Sequence, residues 1–102
     1  MGWYISHGGT QHGYSYSSIA ELGERIQRTA SRSDWSTLAP LFSPRSGDPF
    51  EIKPSAAAAV GATLLSAAKG FKIWDRSWAA MARQIGDSAL LAAKLGEPWR
   101  WS

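Results

Sequence analysis

Apolar and polar positions along this chain switch between two periods, and the switches mark out its elements. Trp3-Tyr4-Ile5-Ser6 alternates, which predicts a short strand with Trp3 and Ile5 on one face and Tyr4 and Ser6 on the other. The stretch from His7 to Gly13 is rich in glycine and reads as a loop. Ser17 or Ser18 then offers an N-cap, with Glu21 placed to complete a capping box. Beyond it Ile19, Leu22, Ile26 and Ala30 recur at three- and four-residue steps, which predicts a helix ending near Arg32. Its opposite side carries Glu21, Arg25, Arg28 and Arg32, with Glu21 and Arg25 at the supportive i,i+4 spacing.

Ser33-Asp34 opens a second, short helix with Trp35, Leu38 and Ala39 inward, and Pro40 weakens or ends it. Ser43 to Pro49 is the clearest turn cluster in the chain. Phe50-Glu51-Ile52-Lys53 returns to period two and predicts another strand. Pro54 and Ser55 introduce an alanine-rich helix with Val60, Leu64, Ala67 and Phe71 as its buried stripe, closed by Gly70. Phe71 to Trp74 reads as a strand or a connector. Asp75 or Ser77 caps the last long helix, whose inward positions are Trp78, Met81, Ala82, Ile85, Ala89 and Ala92. Gly86-Asp87 is the point where this helix would kink or split. Gly96 and Pro98 stop it, and Trp99-Arg100-Trp101 is a final extended segment.

This order of elements predicts an α+β single domain over residues 1–102. Three to four helices would pack on a short antiparallel sheet that pairs the N- and C-terminal strands. Trp99 and Trp101 would share a face and meet Trp3 and Ile5, with Arg100 pointing away. The alternative is an all-α domain with extended terminal arms.

Composition narrows the function classes. The 102 residues are 44% hydrophobic and 19% charged, which is a globular balance, and six are tryptophan. There is no cysteine, which removes thiol catalysis, disulfides and the usual structural zinc sites. The apolar stretch from Ala56 to Ala68 is interrupted by Gly61, Thr63 and Ser66 and falls short of the roughly 20 residues a membrane span needs. No basic segment followed by an apolar core begins the chain, so no secretory signal is expected, and the lack of cysteine is compatible with a cytoplasmic location. A net charge of +3, spread without a dense basic run, permits weak binding to polyanions but does not demand it.

Three constellations carry candidate chemistry. His7 and His12, with Tyr14 nearby, could form an acid–base pair or line a small-ligand site. Their spacing suits neither one strand face nor one helix face, and no carboxylate lies close in sequence, so no metal is expected. The Gly-Gly-Thr stretch lacks the spacing and lysine of a phosphate-binding loop, and no cofactor is expected. Trp74-Asp75-Arg76-Ser77-Trp78 could present an aromatic ledge beside Arg76, although register with Met81, Ala82 and Ile85 favours both indoles inward. Trp74, at the edge of its helix beside Arg76, is the stronger contact residue of the two. Pro98-Trp99-Arg100-Trp101 is either an exposed interaction motif or a buried strand with one solvated arginine, and Trp3 and Ile5 favour the strand.

The opening Gly2-Trp3-Tyr4-Ile5-Ser6-His7-Gly8, the stretch Gly47 to Ile52 and the ending Gly96-Glu97-Pro98-Trp99-Arg100-Trp101-Ser102 resemble an uncharacterised family of small actinobacterial, Streptomyces-type proteins. The resemblance implies a free-standing cytoplasmic protein of one domain and brings no activity with it. Function then rests on the residues. They favour a non-enzymatic protein-binding or regulatory module that works through a protein partner or self-association, with Trp74, Arg76, Trp99, Arg100 and Trp101 as contact residues. A small-ligand or enzymatic site at His7, His12 and Tyr14 is the first alternative. A weak nucleic-acid binder using Arg25, Arg28 and Arg32 with an exposed tryptophan is the second.

Overall fold

Alternation at both ends of the chain turns directly into architecture. The computed structural model describes residues 2–7, 10–42 and 49–102, apart from the side chains of His7, Thr10 and Gln11. Its elements are β1 (Gly2–His7), β2 (Thr10–Ser15), α1 (Tyr16–Thr29), α2 (Arg32–Phe42), β3 (Phe50–Ile52), α3 (Pro54–Lys69), α4 (Arg76–Leu95) and β4 (Trp99–Trp101), with a 3-10 turn at Ile73–Asp75 before α4. The strands form one antiparallel sheet in the order β2-β1-β4-β3. The expected α+β fold is therefore present, and the all-helical alternative is not.

Ile5 lies opposite Trp101, and Ser6 lies opposite Arg100. Residues directly opposite share a face, so the alternation Trp3, Ile5, Trp99, Trp101 builds one apolar surface. All four are buried, while Tyr4, Glu51 and Arg100 on the other face are exposed. The helices cover that apolar surface alone. Trp3 meets Trp101 edge-on at 6.0 Å between ring centroids, Trp99 meets Trp101 at 5.4 Å, and Phe50 stacks on Trp101 at 5.5 Å. Ile19, Leu22, Ile26, Leu38, Val60, Leu64, Ala82, Ile85 and Ala89 are among the helix residues that join them in the core.

Three local expectations change. The glycine-rich segment contains β2, the hairpin partner of β1, in place of a continuous loop. Gly13 fits in this strand because the Tyr4 ring lies across it from β1, where an added Cβ would come within 3.1 Å of Tyr4. Helix α1 starts one residue after Ser15, whose hydroxyl accepts the Ser18 backbone N–H, so Ser15 caps it and not Ser17 or Ser18. Helix α4 runs unbroken past Gly86, and that glycine lets α3 approach closely at Gly61. Residues 43–48 of the turn cluster lie outside the described residues.

Candidate functional site

Two surfaces gather the chemistry-bearing side chains. The first lies where β2 meets α4. Trp3 pairs with Tyr14 and Ile5 with His12, so His12 and Tyr14 turn toward the helices with the core residues. The Tyr14 hydroxyl donates to Gln84 Oε1 on α4. Burial pushes the Tyr14 phenol above its ordinary pKa of 10.0. Next to this contact a cleft of about 370 Å³ opens between strand and helix, lined by His12, Arg83, Gln84, Asp87, Ser88 and Leu91. Ser88 lies at its floor, where its hydroxyl accepts the indole N–H of Trp99 at 3.0 Å.

Arg83 and Asp87 stand one helical turn apart on the rim, yet no ion pair within 4.0 Å engages either among the described residues. The order is the weaker one for such a pair, with the base N-terminal to the acid. His7 sits at the end of β1 opposite Thr10, and its side chain lies outside the described residues, so its proposed partnership with His12 does too. Among the described residues no cluster of three or more His, Asp or Glu side chains is placed to hold a metal ion.

The second surface is the turn between α3 and α4. Gly70 closes α3, and the chain makes a 3-10 turn before α4 begins. That turn throws Ile73 and Trp74 outward, 79% and 74% exposed. The Lys72 ammonium sits over the Trp74 ring at 5.2 Å, and exposed Arg76 follows after Asp75. The inward register expected for Trp74 is thus corrected. Trp78 does turn inward, half-buried against the core. Helical periodicity does not reach back through the 3-10 turn, so Trp74 leaves the α4 stripe.

Most of the remaining candidates are tied up or buried. Trp99 and Trp101 are 0% and 1% exposed, which corrects their placement among contact residues: the sheet and helices enclose both indoles. Arg100 faces outward and pairs with Glu51 on β3 at 2.9 Å. Arg25 binds Glu21 at 2.9 Å and Asp75 at 3.0 Å, and its guanidinium lies 4.9 Å from the Trp78 ring centroid. Asp75, the expected cap of α4, thus spends its carboxylate on Arg25 and makes no side-chain cap bond. Arg28 and Arg32 are exposed, but Glu21 and Glu24 line the same shallow hollow as Arg28.

Residues 8–102 match the family model described as Domain of unknown function (DUF7739). The chain belongs to the DUF7739 family. No curated protein and no solved structure matches it. Both surfaces, including β2, the 3-10 turn and α4, fall inside the DUF7739 match, while β1 precedes it. β1 lies between β2 and β4, so the DUF7739 sheet of this chain is continuous only with β1 in place. No helix of the described residues is long and apolar enough to cross a membrane.

Sequence reasoning did not single out Ile73, Arg83, Gln84, Asp87 or Ser88. A signal existed for the last four. They sit at 83, 84, 87 and 88, a polar stripe at helical spacing on the flank of an otherwise apolar helix face.

Proposed function

We propose that this domain is a non-enzymatic protein-binding module, cytoplasmic and of actinobacterial type, that docks a protein partner through the Ile73–Trp74 turn. The observation that carries this reading is the exposure of two adjacent large apolar side chains on one turn, whose last residue, Asp75, is tied to Arg25 on α1. Lone exposed apolar residues are ordinary, but a tryptophan and an isoleucine side by side with basic flanks make the composition of a binding hot spot. Lys72 and Arg76 define the partner's chemistry: an apolar slot bordered by carboxylates. The test is affinity capture from host lysate with the wild-type chain and with Trp74→Ala, alongside light scattering. A captured protein that is lost with Trp74→Ala, at unchanged melting temperature, supports the reading. A monomer that captures nothing, or capture indifferent to the substitution, sinks it.

A second reading is favoured by the cleft beside β2. Half-buried His12, the rim charges Arg83 and Asp87 and the apolar side of Leu91 form a hollow of small-molecule size. The His12 ring signals in NMR, followed while a panel of charged and zwitterionic metabolites is added, test it directly. Ring signals that never move leave it without support. Nucleic-acid binding has a weaker basis, because Arg25 is already committed to two carboxylates. Absence of binding at low salt removes it.

A further inference from the structure

The two edges of the sheet are built differently. β3 is three residues long, lies between Pro49 and Pro54, and carries the Glu51–Arg100 ion pair on its exposed face. Short length, proline and charge are how natural sheets guard an edge. β2 has six residues, Thr10-Gln11-His12-Gly13-Tyr14-Ser15, with no proline, lysine, arginine or carboxylate.

Its outward-facing hydrogen-bonding groups can be identified. The N–H and C=O of Tyr4 are both taken by Ser102, at 2.7 and 2.9 Å, on the β4 side of β1. Backbone groups alternate sides along a strand, so Trp3 and Ile5 direct theirs to Tyr14 and His12 on β2. By the same alternation Gln11 and Gly13 direct their N–H and C=O groups away from the sheet.

We propose that β2 is the pairing edge of a symmetric homodimer, in which two copies join antiparallel into one continuous sheet. Gln11 of one copy faces Gly13 of the other, both pairs exchange N–H and C=O, and His12 meets its counterpart at the two-fold axis. A second copy is the occupant because this strand complements itself: the uncharged edge needs no foreign partner to match its length or register. The helix beside it adds charge complementarity. The two-fold axis runs α4 antiparallel to its copy, which turns Arg83 of one copy toward Asp87 of the other, the two rim charges that have no ion-pair partner within a single chain among the described residues. Leu91 and Leu95, 41% and 55% exposed, continue the stripe of Gln84 and Ser88 along the same flank. The inference does not depend on the Ile73–Trp74 turn, which lies outside this interface.

The test is sedimentation equilibrium of the whole chain from micromolar to millimolar concentration, with amide hydrogen exchange read over the same range. A reversible dimer is expected, with protection at Gln11 and Gly13 rising in step with the dimer fraction. Gln11→Pro removes an outward-facing N–H while leaving the bonds to β1, and should raise the dissociation constant about tenfold or more. Arg83→Glu should weaken the dimer, and adding Asp87→Arg should restore it. A chain monomeric throughout overturns the proposal. So does a dimer whose Gln11 and Gly13 amides exchange equally at every concentration, which needs no variant to detect. A dimer abolished by Trp74→Ala but not by Gln11→Pro also overturns it, and leaves the docking role of the turn standing.

Discussion

Ser88 is the buried polar side chain of this core among the described residues, and its hydroxyl holds the indole N–H of fully buried Trp99. Ser88→Ala leaves that N–H where water does not reach, so a loss of about 1–3 kcal/mol is expected in a urea melt. Trp74→Ala removes a far larger side chain but one that stands in water, and should move stability by no more than about 0.5 kcal/mol. The contrast explains why tryptophans with equal standing in the sequence differ in consequence: burial, set by the fold, decides what each contributes. Tyr14 supplies a third measurement at this scale. Its phenol is raised by burial, so the folded chain holds this proton to higher pH than the unfolded chain does. The stability it contributes is complete below the unfolded pKa near 10 and is lost as pH rises through the folded value. Melting temperature followed through the alkaline range should fall less steeply for Tyr14→Phe than for the wild type.

At the scale of elements, α3 and α4 form the most extensive helix contact, and two glycines set its closeness. A Cβ on Gly61 would stand 2.9 Å from the Gly86 carbonyl oxygen and 2.8 Å from Leu90 Cγ. Gly61→Ala gains about 1 kcal/mol of helix propensity yet meets backbone that cannot step aside, so a net loss of about 1–3 kcal/mol is expected. Gly70→Ala is the control. It meets nothing closer than 3.4 Å at a helical φ of −82°, and should be neutral or stabilising by about 0.4–1 kcal/mol. Gly86 illustrates a limit of reading elements from sequence. A glycine inside a helical pattern signals a kink unless the partner helix it admits is known, and that partner is distant in sequence. β2 was hidden in the same way. Gly13 weakens any strand signal on its own, and the Tyr4 ring that covers it belongs to the neighbouring strand.

Across the whole molecule, what was legible came from long-range symmetry of pattern: Trp3 and Ile5 at one end, Trp99 and Trp101 at the other, each pair at period two. That was enough to predict the pairing of β1 with β4. It could not reveal that β3 attaches to the far side of β4, nor that the cleft beside His12 forms against α4, because both depend on β2 and β3 taking opposite edges. The topology makes one consequence sharp. β4 is three residues long but sits between β1 and β3, and it carries two of the largest fully buried side chains. Losing a buried tryptophan costs about 3–5 kcal/mol, so losing both approaches the whole 5–15 kcal/mol that holds a domain folded. The ladder bonds of Tyr4 to Ser102 and the edge strand β3 go with them. A chain ending at Gly96 should therefore show no cooperative thermal transition and no near-ultraviolet circular dichroism, whereas a peripheral strand would leave a weakened but folded domain. Arg100→Ala, which removes only the exposed ion pair with Glu51, should by contrast melt within about 1 kcal/mol of the wild type. If the shortened chain still melts cooperatively, β4 is an addition to a core that closes without it, and the closure of the sheet by the two ends is not what holds this domain together.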